Sequence, residues 1–233
     1  MSGLIRHPLL AHPVQVRRSR QARRITLRID APRRMATLVM PYRASQNTAL
    51  AFLTDNLEWL RERMAALPET VPFAPGQSVP LLGEPHLLMP APGARRGVWA
   101  EDGVIQVSGP VEFFARRTGD FLKAEAKKRI LAKAMPMAEK IGRDFHGLRI
   151  GDPKSRWGSC NSKGKLAFSW RLVMAPEPVL DYVVAHEIAH LREMNHSPRF
   201  WEWVKALHED CVTPRRWLKA HGTALYRYGN DTN

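Results

Sequence analysis

The sequence predicts an α+β protein: a small β-rich unit with one helix over residues 14–110, then a mainly helical domain over residues 111–225 that carries a short antiparallel sheet. Three observations point there. Apolar residues alternate with polar ones early in the chain and recur at three- and four-residue steps later, the periods of strand and helix. Prolines and glycines crowd the stretch between Pro68 and Pro110, which excludes long helices but leaves room for short strands. Further on, His186-Glu187-Ile188-Ala189-His190 lies within a helical pattern, with His196 six residues beyond it.

Taken in order, Arg17, Arg18, Arg20, Arg23 and Arg24 cluster near the start, with Arg33 and Arg34 soon after. They read as a solvated edge strand and tail, or as a contact for nucleic acid; no aromatic residue is interleaved to stack bases. Ile25, Leu27 and Ile29 alternate with polar neighbours, Ala31-Pro32-Arg33-Arg34 makes a turn, and residues 35–40 return as a second strand closed by Pro41. From the capping type Ser45 to Leu67, the residues Leu50, Leu53, Leu57, Leu60 and Met64 mark one amphipathic helix that Pro68 ends. Residues 79–82, 86–89 and 104–107 are short strands, the last entered through an Asp102-Gly103 tight turn.

Residues 111–140 are helical by the steps of Phe114, Arg117, Phe121, Leu122, Ala126, Ile130 and Leu131, interrupted at Gly119 and kinked or ended near Pro136. Leu148 and Ile150 mark a strand. A hairpin over 155–170 turns at Asn161-Ser162-Lys163-Gly164 and returns through Leu166, Phe168 and Trp170. An exposed sheet edge there would hold substrate as an added strand, with Trp157 and Trp170 lining the cleft or packing in the core. A helix over about 177–194 follows, then one from Ser197 and one from Thr213-Pro214 that includes Trp217 and Leu218; residues 226–233 read as a tail.

On a helix, residues i and i+4 share one face, so His186 and His190 can converge on one ion. Catalytic zinc takes three protein ligands and keeps a fourth position open, and His196 supplies the third if the chain turns back after His190. Asn195 tolerates left-handed backbone at a helix end, and Ser197-Pro198 reads as the cap and first position of the next helix. Glu187 lies about 100° round the helix, too far to ligate but placed to take a proton from a water at the ion and pass it to a leaving amine. Glu202 or Glu209 as third ligand is the alternative, and a pair of core or solvated histidines the bland one. Tyr182, Tyr226, Tyr228, His208 and Arg156 qualify by type as oxyanion donors. Cys160 is a fourth ligand or a small buried thiol.

With 233 residues, 44% of them hydrophobic, the chain can bury a real core. No apolar run approaches a membrane span and no apolar segment follows the basic start as in a signal peptide, so the expected location is the cytoplasm, with no membrane partner. Two cysteines make no disulfide framework. A formal charge of +14 favours an acidic partner, nonspecific nucleic acid among them.

The segments Arg156-Trp157-Gly158-Ser159-Cys160, Trp170-Arg171-Leu172, His186 to His190 and Asn195-His196-Ser197-Pro198-Arg199-Phe200-Trp201 resemble those of the YgjP-like metallopeptidases, which are similar to the SprT-like and Wss1-type zinc proteases. The resemblance implies a zincin-like core, with His186, His190 and His196 holding zinc and Glu187 as the catalytic acid and base. It also implies a protein or peptide substrate, and the relatives' work on DNA-crosslinked proteins extends this to DNA-associated targets. Metzincins share the histidine spacing but have glycine where this chain has Glu193. The other function class the residues allow is a basic nucleic-acid-binding module whose zinc site is structural or vestigial.

Overall fold

The computed structural model describes residues 2–10, 13–30, 34–67 and 69–229. The chain divides into two compact units, residues 1–69 and 70–233. In the first, β1 (Ser2–Ile5), β2 (Val14–Ser19), β3 (Thr26–Asp30) and β4 (Met35–Pro41) form a sheet in the order β1-β2-β4-β3. The expected hairpin is there as the antiparallel β3–β4 pair, although its turn at residues 31–33 lies outside the described residues. Strict alternation in β4 sends Ala36, Leu38 and Met40 inward.

Two expectations change here. The arginine-bearing strand is not an edge: β2 lies between β1 and a parallel β4. Arg18 is correspondingly structural, its Nη1 donating to the carbonyls of Tyr42 and Ala44 at 2.7 Å each. The single helix of residues 45–67 is two, α1 (Gln46–Asp55) and α2 (Leu57–Ala65). Asn56 separates them because its Nδ2 donates to the Phe52 carbonyl at 2.8 Å, competing with the helical ladder. Ser45 caps α1 as expected, its Oγ accepting from the Thr48 amide; Pro68 lies outside the described residues. Leu53, Leu57 and Leu60 remain on the buried side.

The second unit begins well before the expected boundary at 110/111. Strands β5 (Ser78–Leu81), β6 (Glu84–Pro90), β7 (Val98–Glu101) and β8 (Val104–Val107) form a sheet in the order β5-β6-β8-β7. Its residues Val79, Leu88 and Ile105 share one core with Leu122, Ile130 and Phe168 from downstream elements, which is why the division falls at residue 69. The β7–β8 turn has positive φ at both Asp102 and Gly103, 49° and 74°, the geometry that sequence pair favours.

After a 3-10 turn at Val111–Phe113, α3 (Phe114–Lys140) runs unbroken through Gly119 and Pro136. Buried Leu122, Ala126, Ile130, Ala134 and Ala138 recur every fourth residue, and packing along that stripe outweighs the roughly 3 kcal/mol a proline costs inside a helix. The short sheet consists of β9 (Leu148–Gly151), β10 (Gly158–Cys160) and β11 (Leu166–Ser169) in the order β10-β11-β9. It is mixed rather than antiparallel: β11 pairs antiparallel with β10 and parallel with β9. A 3-10 helix at Trp170–Met174 leads into α4 (Glu177–Ala189), α5 (Pro198–Leu207) and α6 (Val212–His221), and a 3-10 segment, Gly222–Arg227, follows. Among the described residues no helix is long and apolar enough to cross a membrane.

Candidate metal centre

Helix α4 is buried on almost every side, through Val179, Leu180, Val183, Val184, Ala185, Ile188 and Ala189. It ends at Ala189 with His190 as C-cap, one turn earlier than the sequence suggested. The chain tightens there, with the Leu191 amide bonded to the Ile188 carbonyl and the Arg192 amide to that of Ala189. The Arg192 side chain anchors this corner on the Ile141 carbonyl. Asn195 makes the turn without left-handed backbone: its Oδ1 accepts from the Ser197 amide at 2.9 Å and its Nδ2 donates to Glu193 Oε1 at 2.8 Å. Ser197 then caps α5, its Oγ accepting from the Phe200 amide, with Pro198 at the first helical position as expected.

The result brings His186, His190 and His196 together, their ligand atoms all within 4.8 Å of one another. His186 Nε2 and His196 Nε2 face each other at 3.1 Å. Two nitrogens on one tetrahedral zinc stand roughly 3.4 Å apart, so the spacing fits an ion between them. His190 Nδ1 lies 3.0 Å from the Glu193 carbonyl, which can only accept; the ring hydrogen is therefore on Nδ1 and the Nε2 lone pair is free to ligate. Burial, reinforced by the other two imidazoles and Arg215, lowers the His186 pKa to about 4, keeping it in the neutral, ligating form. Burial also lowers that of His190. Phe200 packs against all three rings at 4.5–4.9 Å and closes the cluster from the α5 side.

Glu187 is buried, 6% exposed, and points at β10. A Cβ on Gly158 would stand 2.5 Å from Glu187 Cγ, so this carboxyl occupies space that only glycine leaves free. Burial pushes its pKa up to about 7, against the Cys160 backbone hydrogen bond and the Arg156 charge, which pull it down. Nothing near Gly158 announces this contact beyond a glycine in an aromatic-basic motif.

The remaining candidates sort by position. Tyr182 has its ring 6.0 Å from that of His186, and burial raises its hydroxyl to about 12, leaving a proton to donate at neutral pH. His208 packs edge-on to Tyr182 at 6.1 Å. Tyr226 is committed elsewhere, donating to the Pro153 carbonyl at 2.7 Å, and the Tyr228 carbonyl accepts from Arg171. Glu202 and Glu209 are not in the cluster. Cys160 is outside it too, and burial and then Glu187 raise its pKa to about 11, so it stays a thiol.

Trp157 packs on Tyr226 at 5.5 Å and Trp170 lies under Arg171 at 4.5 Å, both structural contacts. The tryptophan beside the histidines is Trp201, 5.8 Å from His186, and Arg215 lies over its ring at 5.0 Å. Trp201 closes the sequence motif that begins at Asn195, but nothing in the sequence marks Arg215, which reaches it from α6.

A family model described as YgjP-like, metallopeptidase domain, matches residues 23–221. No curated protein matches the chain. Among solved structures, the crystal structure of the metallopeptidase zymogen of Pyrococcus abyssi abylysin is similar at 19% identity and a TM-score of 0.36, covering 42% of this chain and 97% of that one.

Proposed function

Since the chain belongs to the YgjP-like metallopeptidase family, we propose that it hydrolyses peptide bonds with zinc held by His186, His190 and His196. Zinc in such a site supplies a Lewis acid for the scissile carbonyl and lowers the pKa of water towards neutrality. Glu187 takes the proton from the attacking water and returns it to the leaving amine, a role suited to a carboxyl whose pKa lies near neutrality. Tyr182, one helical turn before His186 and with its ring 6.0 Å from that imidazole, is the hydroxyl donor for the developing oxyanion. The outer edge of β10, beside Glu187, aligns an extended substrate by backbone pairing, which reads side chains little.

The single observation that carries this reading is the joint placement: three imidazoles converge, and the buried carboxyl of Glu187 next to them lies against the outer strand of the short sheet. In Glu187→Gln the bound zinc should persist while hydrolysis of an unstructured protein such as casein is lost. Retained turnover in a zinc-loaded sample would refute the assignment.

DNA-associated proteins are the target class that the basic charge suits. A second reading, a nucleic-acid-binding module with a structural or vestigial zinc, draws on the first unit, where register puts Arg17 and Arg28 on the sheet face opposite Leu38. It requires salt-sensitive DNA binding that Arg17→Glu/Arg28→Glu abolishes and His186→Ala leaves alone.

A further inference from the structure

The short sheet has two outer edges, and the second of them borders a large groove. That groove, about 970 Å³, runs between β9 and one face of α3. In the parallel β9–β11 ladder the Leu166 amide bonds to the Gly147 carbonyl, so residues 147, 149 and 151 turn their backbone groups to β11. Leu148 and Ile150 therefore turn theirs outward, and among the described residues no hydrogen bond satisfies them. Such an edge is a template for another strand.

The walls of the groove define what fits. Small residues of α3, Gly119 and Ala124, keep it open, and Phe73 and Trp170 form an apolar floor. Its rim is cationic. Asp120 is shared between Arg116 at 3.6 Å and Lys123 at 3.5 Å, and Asp152 is taken by Arg171 and Lys154. Lys127 and Arg149 line the groove, are exposed, and have no carboxylate partner among the described residues.

We propose that this groove is a docking site for an extended acidic peptide segment, which adds to β9 as a fourth strand with its carboxylates over Lys127 and Arg149. A peptide backbone supplies, at strand spacing, both the donors and the acceptors that Leu148 and Ile150 leave open; the phosphates of a nucleic-acid backbone only accept. A nucleic-acid strand also finds no stacking platform, because Trp170 is only 5% exposed. The groove lies across the sheet from the β10 edge, so it would tether a substrate or a regulator without occupying the histidine cluster.

The test uses the full chain and a fluorescent decapeptide of alternating Glu and Thr, with binding read by anisotropy and amide exchange read residue by residue. Binding should slow exchange at Leu148 and Ile150 and should weaken about tenfold or more in Lys127→Glu/Arg149→Glu. It should be unchanged in Arg17→Glu/Arg28→Glu and in His186→Ala, which separates this site from both the first unit and the peptidase reading. Absence of binding overturns the proposal, as does equal binding of a peptide N-methylated at alternate residues. So does protection of the same two amides by an oligothymidylate in place of the peptide. The exchange measurement on the unaltered protein decides the matter even if the double variant folds poorly.

Discussion

Two buried polar centres lie in the second unit, and they differ in how far their hydrogen bonding is satisfied. Arg171, 2% exposed, has every arm of its guanidinium engaged. Nε and Nη2 donate to Asp152 at 2.7 and 3.2 Å, while Nη1 donates to the carbonyls of Leu225 and Tyr228 at 2.9 and 2.8 Å. Its plane lies between Trp170 and Tyr226, at 4.5 and 5.0 Å. The histidine centre is the opposite case. Imidazole nitrogens face one another, His186 Nδ1 is buried without a partner, and Glu187 is buried with no ion pair among the described residues. A satisfied buried charge organises structure, whereas an unsatisfied cluster is arranged for something that binds.

The sharpest way to break this contrast is to remove Arg171. Arg171→Ala leaves Asp152 without its main partner and frees the C-terminal segment, so urea unfolding should show a loss of about 3–5 kcal/mol. The fraction that remains folded should still bind zinc. Burial would raise the Asp152 pKa, but hydrogen bonds from Arg171 and then Lys154 hold it below its ordinary value. A carboxylate depressed in the folded state stabilises the fold above about pH 4, and that contribution is lost as pH falls through its folded pKa. The acid limb of the stability curve should therefore flatten in Arg171→Ala; an unchanged limb would mean that this pair does not matter.

Gly158→Ala probes the other centre. The added Cβ must displace Glu187, so hydrolysis should fall about 100-fold while stability drops by roughly 1–3 kcal/mol and the zinc content is kept. Full activity would show that the carboxyl is not held where the reaction needs it. The smallest effect belongs to Ser197→Ala, which removes the cap that fixes the corner carrying His196. It should cost about 1 kcal/mol of stability and weaken zinc binding, whereas the same loss of a cap at Ser45→Ala should leave zinc binding untouched.

The histidine centre was readable because its determinants are local. One helical turn relates His186 to His190, and a Ser-Pro helix start forces the chain back at His196. What escaped the sequence is non-local. The parallel pairing of β2 with β4 joins residues some twenty positions apart, and nothing near Arg17 or Arg18 announces it. The unit boundary depends on Val79 and Ile105 sharing a core with Leu122, a fact of packing rather than of periodicity. Gly158 against Glu187, and Arg215 over Trp201, are likewise contacts between elements whose own patterns record only their buried faces.

If these imidazoles form one metal site, zinc titration of the apoprotein, read with X-ray absorption at the zinc edge, should give one equivalent per chain with three imidazole nitrogens at about 2.0–2.1 Å, and tight binding should be lost in His196→Ala. Full-affinity zinc binding in His196→Ala, or a sulfur-containing coordination shell, would contradict it.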